Sequence, residues 1–309
     1  MAQALTIGWI GLGKMGLPIA IRIAEAGHDI TGHDRDASRM DAAVAGGVRK
    51  AAEMAAAASR DIVFTSLPDD RALQAVALGA DGLLAAMAPG AILVETSTVS
   101  PEISAEVAHA AQARGVAYLR LPVSGNASIA HTGNLTCFVS GPADAFEVVR
   151  PVAAAFTRAQ KYLGEAEEAR YAKLAVNLMI AVSAAMMGES IVLARKGRIG
   201  WQDILDVLTE SAVASPMVKY KAVHLAERDF SPTFSCRQMA KDLDLIIDAG
   251  HASAVAMPLA ALTRETYGAL IGRGCGEDDF ISTVRLSEWL AGLGEPDGED
   301  KPGGHDAEL

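Results

Sequence analysis

Three glycines, Gly11, Gly13 and Gly16, stand in "LTIGWIGLGKMGLPIAIRIAEAG", between an apolar β-rich run and an amphipathic helical one. No other stretch restricts the fold as sharply. A strand that ends in Gly-x-Gly-x-x-Gly and passes straight into a helix predicts the first turn of a doubly wound α/β domain. The first glycine permits the tight turn, the second lets the backbone approach a pyrophosphate, and the third lets helix and strand pack closely. Amides at the helix start then face negative charge. Asp34 closes the second strand about 20 residues further on, where a carboxylate can accept hydrogen bonds from an adenine-ribose diol. Arg35 and Arg39 follow it and offer a counter-charge to a 2′-phosphate. The pattern favours NAD through the strand-end carboxylate and leaves NADP open.

The rest of the first half repeats this alternation. Strands are predicted at 5–10, 29–33, 61–66, 91–96, 117–121 and 135–140, with helical patterns between them, which argues for a parallel sheet covered by helices. "SPEISAEVAHAAQARG" shows the punctuation well: Ser100 as N-cap, Pro101 at the first helical position and Gly115 as the stop. Beyond residue 165 the strand signals vanish, and helices are expected at 166–196, 201–211, 236–249, 257–272 and 279–291. The expected organisation is a dinucleotide-binding domain over 1–165 and an all-α domain over 166–292 that begins with a long interdomain helix. An acidic, Gly- and Pro-rich tail at 293–309 is expected to be disordered.

A chain of 309 residues can bury two such cores, and half of it is apolar. The formal net charge is -11, with six acids against Lys301 in residues 291–309, and no basic stripe is present. Nucleic acid is therefore not an expected partner. Cys137, Cys236 and Cys275 are odd in number and widely spaced, which suits a reducing cytoplasm. The N-terminus has no basic region ahead of its apolar run, so no signal peptide is expected. The run 174–194 approaches membrane-spanning length, but Asn177, Ser183, Gly188, Glu189 and Ser190 interrupt it, so a buried core helix is expected and not a membrane span.

Chemistry concentrates at a few places. "KLAVNLMIAVSAAMMGESIVLA" begins at Lys173, with Asn177 four residues later, so both lie on one helical face. They can point together into a cleft where two domains meet, oriented by the oily remainder of the helix. Transfer of a hydride needs a partner for the hydroxyl proton, and a lysine serves when desolvation and a cationic nicotinamide favour its neutral form. Asn177 has donors and an acceptor to fix substrate oxygens. In "LPVSGN", after a strand, Ser124 offers a hydroxyl and Gly125 an accessible amide, at the end of the sheet where ligands bind. Lys241 lies in an amphipathic stretch and, from the residues alone, reads more readily as a solvated helix position. The seven histidines show no ligand spacing, and no HExxH, P-loop or GxSxG occurs, so neither a metal site nor a serine nucleophile is expected.

"GWIGLGKMG", "RLPVSGN", "KLAVN" and "FSCRQMAKDLDL" occur in the order and spacing of the β-hydroxyacid dehydrogenase family, which the chain resembles from residue 5 to about 290. That family includes 3-hydroxyisobutyrate dehydrogenase and tartronate semialdehyde reductase. The resemblance implies a Rossmann domain, a long interdomain helix, an all-α C-terminal domain, and assembly as homodimers or homotetramers. It implies Lys173 as the catalytic residue, Asn177 as a substrate contact, and Ser124 and Gly125 as holders of the substrate carboxylate. Gly11, Leu12, Gly13, Met15, Gly16, Asp34 and Arg35 fall to the cofactor, as do Leu67, Pro68 and Thr98, with Lys241 brought to it from the second domain. The family loop usually reads Asp-Ala-Pro-Val-Ser-Gly-Gly; here Arg120, Leu121 and Asn126 replace the first, second and last of these. Arg120 and Asn126 are expected to alter the rim of the pocket.

The expectation is an NAD(H)-linked cytoplasmic dehydrogenase of a small β-hydroxy acid, interconverting alcohol and semialdehyde. An NADPH-preferring reductase of glyoxylate- or succinic-semialdehyde-type substrates is the neighbouring alternative. A dinucleotide-binding sensor without catalysis is the alternative from another class.

Overall fold

The computed structural model describes residues 5–294. From residue 295 on, the acidic tail expected at 293–309 lies outside them. The described chain divides into two compact units between Leu174 and Ala175, within one long helix, Glu168–Lys196.

The first unit is a nine-stranded sheet. Its strands are β1 (Thr6–Ile10), β2 (Asp29–His33), β3 (Arg49–Lys50), β4 (Ile62–Thr65), β5 (Ile92–Glu95), β6 (Ala117–Arg120), β7 (Val123–Ser124), β8 (Leu135–Ser140) and β9 (Thr157–Gly164). They run in the order 3-2-1-4-5-6-8-7, with β9 pairing β8. Strands β1 to β6 are mutually parallel. Their order reverses at β1, the topological switch point of a doubly wound sheet. The sheet is not parallel throughout: β8 runs antiparallel to both β6 and β7. The short excursion 121–134 between β6 and β8 is what turns the chain back.

Both faces of this sheet are buried, as a doubly wound fold requires. Ile7, Trp9, Ile62, Phe64, Ile92, Val94 and Leu119 belong to one apolar cluster, and their strand neighbours Ile10, Val63, Leu93 and Tyr118 to another. That alternation is the period of two expected of a strand. Trp9 stacks on Phe64 at 5.2 Å, and Phe64 meets the edge of Phe156.

The six predicted strands are all present, but β3, β7 and β9 were not anticipated. β9, "TRAQKYLG", places Arg158 and Lys161 in solvent on the outer strand, and such charged edges hide the apolar alternation that announces a strand.

The second unit is helical. Beyond the long helix it contains Trp201–Glu210, Pro216–Ala226, Cys236–Ala252, Pro258–Gly272, a 3-10 turn Phe280–Ser282, and Thr283–Leu290. The helix Pro216–Ala226 was not anticipated, although Ser215 caps it by accepting from the Val218 amide and Pro216 begins it, the same punctuation as at Ser100 and Pro101. Gly188 lets the long helix approach Thr283, whose hydroxyl donates to the Ala184 carbonyl at 2.8 Å. Asp279 accepts from the Thr233 amide and hydroxyl, the Ile281 amide and the buried Lys221 ammonium at 2.7 Å, closing the loop that precedes the last helix.

By length and composition the helix Glu168–Lys196 could cross a membrane. Arg170 and Asn177, both buried in polar contacts within the protein, are costly companions for lipid. Nor is the helix buried all round: Met179, Met186 and Leu193, seven residues apart, are 69%, 55% and 76% exposed.

Candidate functional site

The glycine loop is built as its sequence requires. Gly11 follows β1 at φ +90°, and a Cβ there would lie 2.2 Å from the Ser66 carbonyl oxygen. Gly16 opens the helix Gly16–Glu25, and a Cβ there would lie 2.0 Å from the Gly11 oxygen. The Trp9 indole N–H donates to that same oxygen at 2.9 Å and so fixes the turn. A Cβ at Gly13 would meet only the Arg39 guanidinium, at 3.9 Å. The middle glycine is thus the open one, as the approach of a pyrophosphate to the backbone would require. Met15 is half-buried at the helix start and Leu12 is buried beneath the loop.

Asp34 sits just beyond β2 with its side chain 9% exposed. Its Oδ2 accepts from the Leu12 amide at 2.7 Å and its Oδ1 from the Asp36 amide at 2.9 Å. A carboxylate has about four lone-pair sites, so a diol can still be accepted while the glycine loop is held to β2. The Arg39 guanidinium lies 3.7 Å from Asp34 and 3.5 Å from Asp36, and Arg35 is exposed beside them. A carboxylate just beyond β2 and a nearby positive charge thus coexist.

Two further loops leave the C-terminal ends of β4 and β5. The Leu67 amide donates to the Ser97 hydroxyl at 2.7 Å, which joins the loop of Leu67 and Pro68 to that of Thr98. Leu67 and Thr98 are half-buried and Pro68 is exposed.

After β6 the chain runs through Pro122 into β7, where Ser124 pairs with Thr136. Gly125 takes φ +136°, and a Cβ there would lie 2.6 Å from the Leu135 side chain. Ser124 is half-buried and Gly125 exposed. Arg120 and Asn126 both have partners within the first unit. Arg120 is buried, paired with Glu167 and lying 4.7 Å over the Tyr118 ring. Asn126 caps the short helix Ala127–His131 by accepting from the Ile129 amide at 3.0 Å.

Lys173 is half-buried in the first turns of the long helix, and Asn177 is buried one turn on. The Asn177 amide donates to Asp242 Oδ2 at 2.5 Å, while Lys241 Nζ lies 2.8 Å from Oδ1 of the same carboxylate. One fully buried aspartate, 65 residues from Asn177 in the chain, thus brings Asn177 and Lys241 together. The Lys241-Asp242 dipeptide was visible; its contact with Asn177 was not.

A second buried cluster also escaped the sequence. Arg170, in the first turn of the long helix, pairs with Glu95 at the end of β5. Burial alone would lower the Arg170 pKa, but Glu95, Tyr118 and Glu167 more than reverse this and hold it above its ordinary value. Burial likewise raises the Tyr118 phenol.

A doubly wound sheet, a Gly-x-Gly-x-x-Gly turn at its switch point and a carboxylate just beyond the second strand mark a dinucleotide-binding protein. Residues 6–164 match the family described as the NAD binding domain of 6-phosphogluconate dehydrogenase. Residues 168–287 match the NAD-binding domain of NADP-dependent 3-hydroxyisobutyrate dehydrogenase. The chain is 33% identical over 288 residues to an NAD-dependent L-serine dehydrogenase of Pseudomonas aeruginosa, covering 91% of this chain and 97% of the relative. It is 28% identical to a 2-(hydroxymethyl)glutarate dehydrogenase of Eubacterium barkeri, covering 97% of this chain and all of the relative. Among solved structures, the Mycobacterium tuberculosis 3-hydroxyisobutyrate dehydrogenase with L-serine superposes with a TM-score of 0.83 at 29% identity, covering 92% of this chain and 99% of that one. The chain belongs to the β-hydroxyacid dehydrogenase family and is an NAD(P)-dependent oxidoreductase acting on CH–OH groups.

Proposed function

We propose that the protein interconverts a small β-hydroxy acid and its semialdehyde with NAD(H), using Lys173 as general acid and base. The observation that carries this reading is the pairing of Lys173 with an anchored Asn177 on one helical face, in a chain that holds an intact dinucleotide loop. The substrate class is supported by what the named relatives have in common. L-Serine, 3-hydroxyisobutyrate and 2-(hydroxymethyl)glutarate all contain a primary alcohol one carbon removed from the carbon that bears a carboxylate.

When bound, the nicotinamide accepts or supplies the hydride. In oxidation the Lys173 amine takes the hydroxyl proton as the carbinol carbon loses its hydride; in reduction the ammonium returns that proton to the carbonyl oxygen. Asn177 is held through one N–H by Asp242 and retains its carbonyl oxygen and second N–H for substrate oxygens. Ser124 and the Gly125 amide are assigned to the substrate carboxylate. Gly11, Leu12, Gly13, Met15, Gly16, Asp34, Arg35, Leu67, Pro68, Thr98 and Lys241 are assigned to the cofactor. The same reading includes a reducing cytoplasm, consistent with three buried free thiols, and a homodimer or homotetramer.

Absorbance at 340 nm across a panel of 3-hydroxy acids, with NAD and NADP, tests the reading. Turnover of at least one such acid with NAD is expected. Lys173→Ala should keep NADH affinity and lose about a hundredfold or more in kcat; near-normal kcat refutes its role. Binding of cofactor without turnover of any acid would favour a sensor. An NADPH-preferring reductase is the second reading, favoured by Arg39 beside Asp34. It gains if KM for NADPH is the lower.

A further inference from the structure

The Arg170 guanidinium is 1% exposed and its Glu95 partner is fully buried. Around it, Nη1 donates to the Ser97 carbonyl at 2.8 Å, Nε to the Ser104 hydroxyl at 3.2 Å, and Nη2 to the Tyr118 hydroxyl at 3.1 Å as well as to Glu95. Four of the five N–H donors of an arginine are thereby engaged, in a planar fork that lysine cannot copy. The other oxygen of Glu95 accepts the Ser97 amide at 2.8 Å, so both peptide groups of Ser97 belong to the cluster. The Ser97 hydroxyl in turn accepts the Leu67 amide. One side chain therefore ties the helix that bears Lys173 to the loops of Leu67 and Thr98. The companion pair Arg120–Glu167 ties the residue just before that helix to the start of the loop that contains Ser124.

A buried ion pair is a poor source of stability, because desolvation of two charges offsets their attraction. What such a pair supplies well is a single geometry. Arg170 lies one turn before Lys173, on the adjoining helical row. Any slack in its bonds shifts the lysine amine relative to the loops at the ends of β4 and β5.

We propose that Arg170, with Glu95, is a positioning residue that sets the Lys173 amine relative to the cofactor loops. It touches no reactant itself and acts through the helix. This rests on the assignment of Lys173 as the proton-transfer group.

The test uses two variants of the full chain. The double variant Glu95→Met with Arg170→Met removes both charges and leaves neither one buried alone. Arg170→Lys keeps the charge but cannot reach Glu95, Ser97, Ser104 and Tyr118 together. Both should unfold cooperatively and still bind NADH by fluorescence titration. The double variant should lose about a hundredfold in kcat and Arg170→Lys about tenfold, with KM little changed, since small displacements of a catalytic group act on the chemical step. The pH midpoint of kcat should move from the parent value as the surroundings of the amine change. Parent values of kcat and of the pH midpoint in a folded variant overturn the proposal, and Arg170→Lys decides if the double variant does not fold. Lys173→Ala, measured in parallel, separates the two ideas. If it retains kcat, the acid–base assignment falls and the positioning role with it; if it is inactive while the Arg170 variants behave as the parent, only the positioning role falls.

Discussion

Asp242 is a residue whose meaning depends wholly on what it touches. In the sequence it is one acid of "AKDLDL"; in the fold its two oxygens engage Asn177 and Lys241. Asp242→Asn keeps the shape but removes the charge that holds Lys241 and leaves an N–H facing one of the two donors, Lys241 or Asn177. Steady-state kinetics should show kcat/KM reduced about tenfold or more, a loss of the size expected for breaking a buried charge-assisted hydrogen bond. Gly125 carries a different constraint. Its φ of +136° strains any side chain there, and a methyl group would have to displace the end of the Leu135 side chain, 2.6 Å away. Gly125→Ala should cost about 1–3 kcal/mol in urea denaturation and raise KM for the acid. A variant as stable as the parent would show that the loop can relax.

At the scale of the element, the signals that worked are those written within a few residues. Ser100 and Pro101 announce the helix Pro101–Gln112, and Ser100 does accept from the Ile103 amide at 3.2 Å. Ser215 and Pro216 announce Pro216–Ala226 in the same way, and that helix could have been read from the sequence. Ser215→Ala should lower stability by about 1 kcal/mol and leave KM and kcat unaltered, because the cap touches only its own helix. A change in KM without a change in stability would show that the helix has another task. β9 is the opposite case. No local pattern marks "TRAQKYLG", and the strand exists because β8 offers it an edge to pair with.

For the whole molecule, buried thiols set a limit on alkaline stability. Burial pushes Cys137 in the first unit and Cys236 in the second up to about 12, from an ordinary value near 9. Between those values the unfolded chain has released thiol protons that the folded chain retains, so stability falls as pH rises. Each thiol contributes a slope of up to about 1.4 kcal/mol per pH unit. Urea midpoints should drop progressively above pH 9, and less steeply in Cys137→Ala; midpoints that stay flat to pH 11 contradict this. The same scale separates the two sources of information. Glycine geometry, strand period and helix caps act over a few residues, so the dinucleotide-binding fold, the switch-point loop and the candidate Lys173–Asn177 face were legible before any coordinates. The partners of Arg120, Arg170 and Asn177 lie 47, 75 and 65 residues away in the chain. Such pairings leave no local periodicity, because only the folded backbone determines which distant charges can share a site that water does not reach.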